Sequence, residues 1–132
     1  AGWAGEIVTG EAFVDRKSVF QAHLATVKSA EDVKAMQGVL LSNSKIARAT
    51  HNIMAYRVHT STGHVRGDCD DDGEDAAGGR MLHLLNILDA VDVCVVVSRW
   101  YGGIHLGPDR FKHINNAARG ILTAHPGMWT TS

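Results

Sequence analysis

The sequence predicts an α/β (α+β) fold: a two-layer sandwich in which helices pack on one face of a mixed four-stranded sheet, in the order β-β-α-β-α-β-α. Three observations lead there. Residues 91–98, ending Val93-Cys94-Val95-Val96-Val97-Ser98, are apolar at nearly every position, as in a strand covered on both faces or central in its sheet. Residues 6–14, 19–27 and 52–60 alternate apolar and polar with the period of half-buried strands. Three further segments carry apolar residues at helical spacing. Strands interleaved with amphipathic helices over 132 residues make one domain, residues 1–132, with its core at about 6–124.

The elements follow in order. Segments 6–14 and 19–27 read as a hairpin joined at Asp15-Arg16-Lys17-Ser18, with Phe20, Ala22 and Leu24 on one face and Gln21 and His23 on the other. Ser29 opens a helix, with Asp32 three residues on as an imperfect capping box. Val33, Met36 and Leu40 form its apolar stripe, and Asn43-Ser44 ends it. In segment 52–60, Met54, Tyr56 and Val58 face one way and Arg57 and His59 the other. A turn at 61–63 leads to a short extended piece, 64–67, and an acidic loop. A second helix over about 76–88 buries Met81, Leu84, Leu85 and Leu88; Gly78 and Gly79 in its first turns imply close backbone packing. After the valine strand, Pro108 starts a third helix over about 108–124, built on Phe111, Ile114, Ala118, Ile121 and Leu122 and closed by His125-Pro126-Gly127.

Composition excludes several classes. Apolar residues make up 45% and charged residues 20%, ordinary for a globular domain, and no apolar run approaches the roughly 20 residues of a membrane span. No signal-peptide pattern opens the chain, and a start at Ala1-Gly2-Trp3 without an initiator Met implies a trimmed or excised piece. Net charge is -1, without the global basicity of a nucleic-acid binder. Cys69 and Cys94 form no CxxC pair, which favours a reduced, cytoplasmic protein.

The motifs are tested one by one. Residues 68–75 hold six carboxylates in eight positions, and Asp68-Cys69-Asp70-Asp71-Asp72-Gly73 begins like a calcium loop. Position twelve, where a bidentate Glu belongs, is Gly79, and a strand precedes the loop instead of a helix. His59, His64 and Cys69 have no convincing zinc spacing, and no metal or cofactor is expected. Ser98 beside Arg99 lacks the G-x-S-x-G elbow, so no catalytic set is written here. Gly102-Gly103 before a helix resembles a phosphate cradle, but no Walker lysine follows and Asp109 opposes an anion. A tight strand-to-helix turn is the simpler use of these glycines. Lys112, Asn116 and Arg119 form the outer stripe of the third helix; with Arg99 and Tyr101 they make a basic-aromatic patch suited to an acidic protein surface or RNA.

Several separate blocks carry a resemblance. Ala49-Thr50-His51-Asn52 with Ala55-Tyr56-Arg57, then Asp72-Gly73-Glu74 with Ala77-Gly78-Gly79-Arg80, then Val96-Val97-Ser98-Arg99-Trp100-Tyr101-Gly102-Gly103 with Leu106-Gly107, resemble the IMPACT family over about residues 7–124. The stretch Gly107-Pro108-Asp109-Arg110-Phe111-Lys112-His113-Ile114-Asn115-Asn116 is similar to the eukaryotic version. The resemblance implies a ribosomal-protein-S5-domain-2-like fold with a left-handed crossover and no catalytic activity. It implies translational regulation: eukaryotic members restrain the starvation-activated kinase of a translation initiation factor by competing for that kinase's ribosome-associated activator, and they bind monomeric actin. Those members also carry an N-terminal RWD domain that makes most of the activator contact, and none is expected within these residues.

Two functions from different classes stand. As a protein-interaction module, the domain would use the acidic loop (Asp70, Asp72, Glu74) with Arg80, and the outlet of the central strand (Arg99, Tyr101, Arg110, Lys112, His113). As an RNA- or ribosome-binding module it would stack bases on Trp100 or Tyr101. The Asp-Gly-Glu motif also reads as an internal ion pair with Arg80 or Arg99, in which case it serves folding.

Overall fold

The computed structural model describes residues 3–132; Ala1 and Gly2 of the opening tripeptide lie outside the described residues. The elements are β1 (Ile7–Thr9), β2 (Phe13–Asp15), β3 (Ser18–Thr26), α1 (Ala30–Leu41), α2 (Ser44–Ala47), β4 (His51–His59), β5 (Val65–Asp70), α3 (Ala77–Leu88), β6 (Val93–Trp100) and α4 (Asp109–Ala124), then a 3-10 turn at Pro126–Met128. None of the helices is long and apolar enough to cross a membrane.

The sheet runs β1-β3-β6-β4-β5, with β2 on the same edge of β3 as β1. Its pairs are all antiparallel, so the sheet is not mixed, and it has six strands instead of four. Two local events add strands. The first predicted strand breaks at a bulge: the register shifts by one residue between Thr9↔His23 and Phe13↔Phe20, which keeps both Val8 and Phe13 on the face of Leu24 and Phe20. Gly10 N–H still donates to Ala22 O, and Gln21 Nε2 donates to Gly10 O in place of a ladder bond. The extended piece predicted for 64–67 runs on through Asp70, so the first three residues of the expected acidic loop, 68–70, are strand. The valine run becomes β6 and sits between β3 and β4, as its apolar sequence requires.

The predicted sandwich forms on one face. Phe20, Leu24, Ile53, Ala55, Val93, Val95 and Val97 pack beneath Met81, Leu84 and Leu85 of α3 and Ile114, Ala118 and Leu122 of α4. The helices are not confined to that face. Cys94, Val96, Met54, Tyr56 and Val58 point the other way and are covered by Val33, Met36 and Leu40 of α1 and Ile46 of α2. α1 belongs there because β3 ends at Thr26 and Ser29 caps the helix at once: Ser29 Oγ accepts Asp32 N–H at 3.2 Å and Asp32 Oδ2 accepts Lys28 N–H at 2.8 Å. Beyond α4, past the expected core, Val91 and Thr130 exchange two backbone bonds of 2.8 and 3.0 Å.

The glycine readings divide. An added Cβ on Gly102 would lie 2.1 Å from Lys17 O and 2.2 Å from Lys17 C, so Gly102 exists to let β6's exit pass under the β2–β3 turn. That turn places Arg16 and Lys17 at φ 44° and 69°, and Arg16 reaches over to Asp109 at 2.7 Å. Gly78 is likewise needed, its Cβ position being 2.7 Å from Asp71 Oδ1, whereas nothing lies within 4 Å of one on Gly79. Gly102→Ala is therefore expected to cost about 2–3 kcal/mol, because the clash is backbone against backbone. Gly79→Ala should stabilise by about 0.5–1 kcal/mol through helix propensity. Urea unfolding of the two variants checks both signs.

Candidate functional site

Arg99 organises the end of the central strand. In register it lies between Phe20 of β3 and His51 of β4, on the face that carries α3 and α4. It is only 4% exposed, with its guanidinium carbon 5.5 Å from the Phe20 ring centre and 5.7 Å from that of Tyr101. A charge buried this deeply needs a counter-charge. Glu74, 5% exposed, supplies it: Arg99 Nη1 donates to Glu74 Oε2, and Arg110 Nε donates to Glu74 Oε1 at 3.0 Å.

Glu74 reaches this position because the loop before α3 is held at several points. Asp71 caps α3 from outside, accepting Gly78 N–H at 2.6 Å and Ala76 N–H at 3.2 Å. Asp70 Oδ1 accepts Asp72 N–H at 2.9 Å, and Asp72 Oδ2 accepts Asn52 N–H at 2.7 Å. Asp72, Gly73 and Ala76 all have positive φ, turning the chain so that Glu74 points inward. His51 completes the hub. Its Nδ1 lies 2.8 Å from the Asp72 carbonyl, which can only accept, so Nδ1 carries a proton and Nε2 faces Glu74 Oε2 at 3.8 Å.

A cleft of about 440 Å3 opens over this hub, lined by His51, Glu74, Arg99 and Arg110 and walled by Tyr101 and His105, whose rings are 5.5 Å apart. A larger hollow of about 740 Å3 lies beside α1, at Trp3, Glu31 and Asp32, but none of the motif residues lines it.

The nine residues proposed from sequence fall into different roles. Glu74, Arg99 and Arg110 form one ion-pair cluster, with Tyr101 beside it at 40% exposure. Asp70 and Asp72 are exposed and hold the loop. Arg80 does not join the hub; its guanidinium stacks on Phe111 at 4.1 Å, and Arg110 stacks on the same ring at 4.3 Å. His113 is drawn away to Asp15 at 2.7 Å, between the Phe13 and Phe20 rings. Lys112, Asn116 and Arg119 are exposed on α4, but Arg99 is buried and adds nothing to that stripe. Thr50, His51 and His105 at the cleft were not singled out, although Thr50 and His51 stand within a quoted motif block.

Among the described residues no cluster of three or more His, Cys, Asp or Glu is placed to hold a metal. Ser98 and His23 are 3.0 Å apart, but Ser98 Oγ donates to Asn52 Oδ1 at 2.6 Å, so the histidine donates to the serine and cannot act as its base. His23 Nδ1 in turn faces Thr9 Oγ1 at 2.9 Å, and Asn52 Nδ2 donates to Ile46 O at 3.0 Å. The chain is fully paired and closed to solvent at His23 and Ser98. Neither thiol is activated: burial, then Asp68, Asp71 and Asp70, push the Cys69 thiol up, and burial pushes Cys94 far up. Iodoacetamide at neutral pH should label Cys69 more slowly than a free thiol and Cys94 only after unfolding; rapid labelling of either in the native domain would contradict this environment.

The family model described as the Impact N-terminal domain matches residues 16–122. Protein IMPACT-A of Xenopus tropicalis is 62% identical over 120 residues, covering 90% of this chain and 38% of the relative. Protein IMPACT of Homo sapiens is 60% identical over 114 residues, covering 86% of this chain and 36% of its own length. Among solved structures, the two-domain translational regulator Yih1 is similar at 45% identity with a TM-score of 0.64, covering 89% of this chain and 46% of that one. A hypothetical protein of 28% identity superposes with a TM-score of 0.69 over 98% of this chain and 60% of its own. The chain thus spans well under half the length of the two IMPACT relatives.

Proposed function

The chain belongs to the family of the Impact N-terminal domain, and from that membership we propose that it is a regulatory protein-interaction module of translational control, working in the cytoplasm and without catalysis of its own. The description of Yih1 as a translational regulator supports the process. Within it, the domain would help restrain a starvation-activated initiation-factor kinase by competing for that kinase's ribosome-associated activator, and would bind monomeric actin. One observation carries the interaction reading: Glu74, Arg99, Tyr101 and Arg110 come together at one cleft, where an exposed Tyr101 stands beside the ion-pair hub. Exposed aromatics on rigid backbones are effective anchors for partners.

The variant that tests it must spare the hub. Arg110 is bound to Glu74, so reversing its charge would damage folding, whereas Tyr101 and Lys112 are exposed. The domain and its Tyr101→Ala/Lys112→Glu variant are used to capture proteins from cytosolic extract, with and without nuclease. Nuclease-resistant retention of actin or a translation-control protein, at least tenfold weaker with the variant, is the expected result. Equal retention by both would refute this surface. Loss after nuclease would favour RNA or ribosome binding, the reading supported by the Arg80 and Arg110 guanidiniums over the Phe111 ring.

A further inference from the structure

Arg99 has more donors than the protein gives it acceptors. Its Nη1 is bound to Glu74, yet its Nε is buried with no hydrogen-bond partner. A guanidinium offers five N–H groups, and a buried one left unpaired is costly enough to call for an explanation. Arg110 repeats the pattern more openly. Its Nε serves Glu74 and its Nη1 serves Gly107 O at 2.7 Å, while its Nη2 bonds to nothing among the described residues. Both arginines line the cleft, beside His51, Tyr101 and His105, with Glu74 and Asp75 as its carboxylates.

From this geometry we infer that the cleft is a seat for a phosphoryl group. Arg99 and Arg110 would grip its oxygens, with His51 and Tyr101 lining the same walls. Glu74 is the built-in competitor that holds the arginines in place and limits affinity. A carboxylate ligand brings no more charge than Glu74 already supplies, whereas a phosphate monoester brings nearly two charges and three strong acceptors. Recognition rests on side chains: the first amides of α4 are already spent on its own turn, Asp109 N–H on Leu106 O and Arg110 N–H on Gly107 O, each at 3.3 Å. The inference goes beyond the interaction reading and stands on the cleft alone, so either can fail without the other.

The test follows the arginine Nε–H resonances of the 15N-labelled domain during titration with inorganic phosphate, and with acetate at matched ionic strength. Phosphate should move the Arg99 and Arg110 signals together and saturably, and acetate should not. Glu74→Gln should tighten phosphate about tenfold, and Arg110→Gln should abolish the saturable shift. Should Glu74→Gln fail to fold, the wild-type and Arg110→Gln titrations decide. A serine-phosphorylated peptide binding more tightly than inorganic phosphate would identify the source as a modified protein; equal binding would identify a free phosphate compound. Non-saturating shifts spread over surface lysines and arginines, or no tightening in a folded Glu74→Gln domain, would overturn the assignment.

Discussion

Glu74→Ala is expected to destabilise the domain by about 3–5 kcal/mol, the usual cost of removing one partner from a buried ion pair. The magnitude follows from where the other charge is left. Arg99 stays in the sheet register between Phe20 and His51 with its side chain buried, and it loses the carboxylate that makes that burial tolerable. Arg110 sits at a partly exposed position on the first turn of α4, where solvent screens it. Arg110→Ala should accordingly cost only about 1 kcal/mol, and Glu74→Gln, which keeps an acceptor while losing the charge, should fall between the two. Equilibrium urea unfolding of the three variants gives the order directly. If Glu74→Ala changed stability by less than about 1 kcal/mol, the hub would not be holding this end of the fold.

Acidification supplies the second large effect. Burial pushes the His23 imidazole down from 6.5 to about 4, because its ring is enclosed between Thr9 and Ser98 as a neutral donor–acceptor pair. The folded domain therefore keeps His23 uncharged while the unfolded chain protonates it. Stability from this residue is present in full above pH 6.5 and is lost as the pH falls toward 4, by about 3 kcal/mol. Asp15, held down to about 2 chiefly by hydrogen bonds from Arg16 and His113, has the same sign but titrates at lower pH. His23→Gln should lower stability at pH 7.5 and flatten the profile between pH 6.5 and 4. A variant profile with the wild-type slope would assign that window to other groups.

The cleft and the polar chain occupy opposite faces of the same three strands. Arg99 of β6 sends its side chain toward α3 and α4, while its neighbour Ser98 points to His23 and Asn52. The Ala49-Thr50-His51-Asn52 block divides in the same way: His51 closes the ion-pair hub, and Asn52 binds both Ser98 and the Ile46 carbonyl. A motif that reads as one functional block thus serves two separate structural jobs, and only part of it fronts the cleft.

Periodicity made much of this molecule readable. Alternation along 19–27 and 52–60 assigned Phe20, Leu24, Met54 and Tyr56 to the faces they occupy, and the valine run had to be central because no edge strand could bury both of its faces. Helix spacing placed Met81, Leu84, Leu85, Ile114 and Leu122 in the core. These are local properties, set by the 2.0 and 3.6 periods of backbone geometry. The bulge that splits the first strand, the extension of β5 into the acidic run and the placement of α1 on the second face were decided by pairing and packing with distant segments. The same holds for charge. Six adjacent carboxylates look alike in sequence, yet Asp71 caps a helix, Asp72 binds Asn52 and Glu74 is buried against Arg99 and Arg110. A carboxylate's role depends on which donors lie within a few ångströms. For Glu74 those donors come from 25 and 36 residues further along, so only the folded chain could decide it.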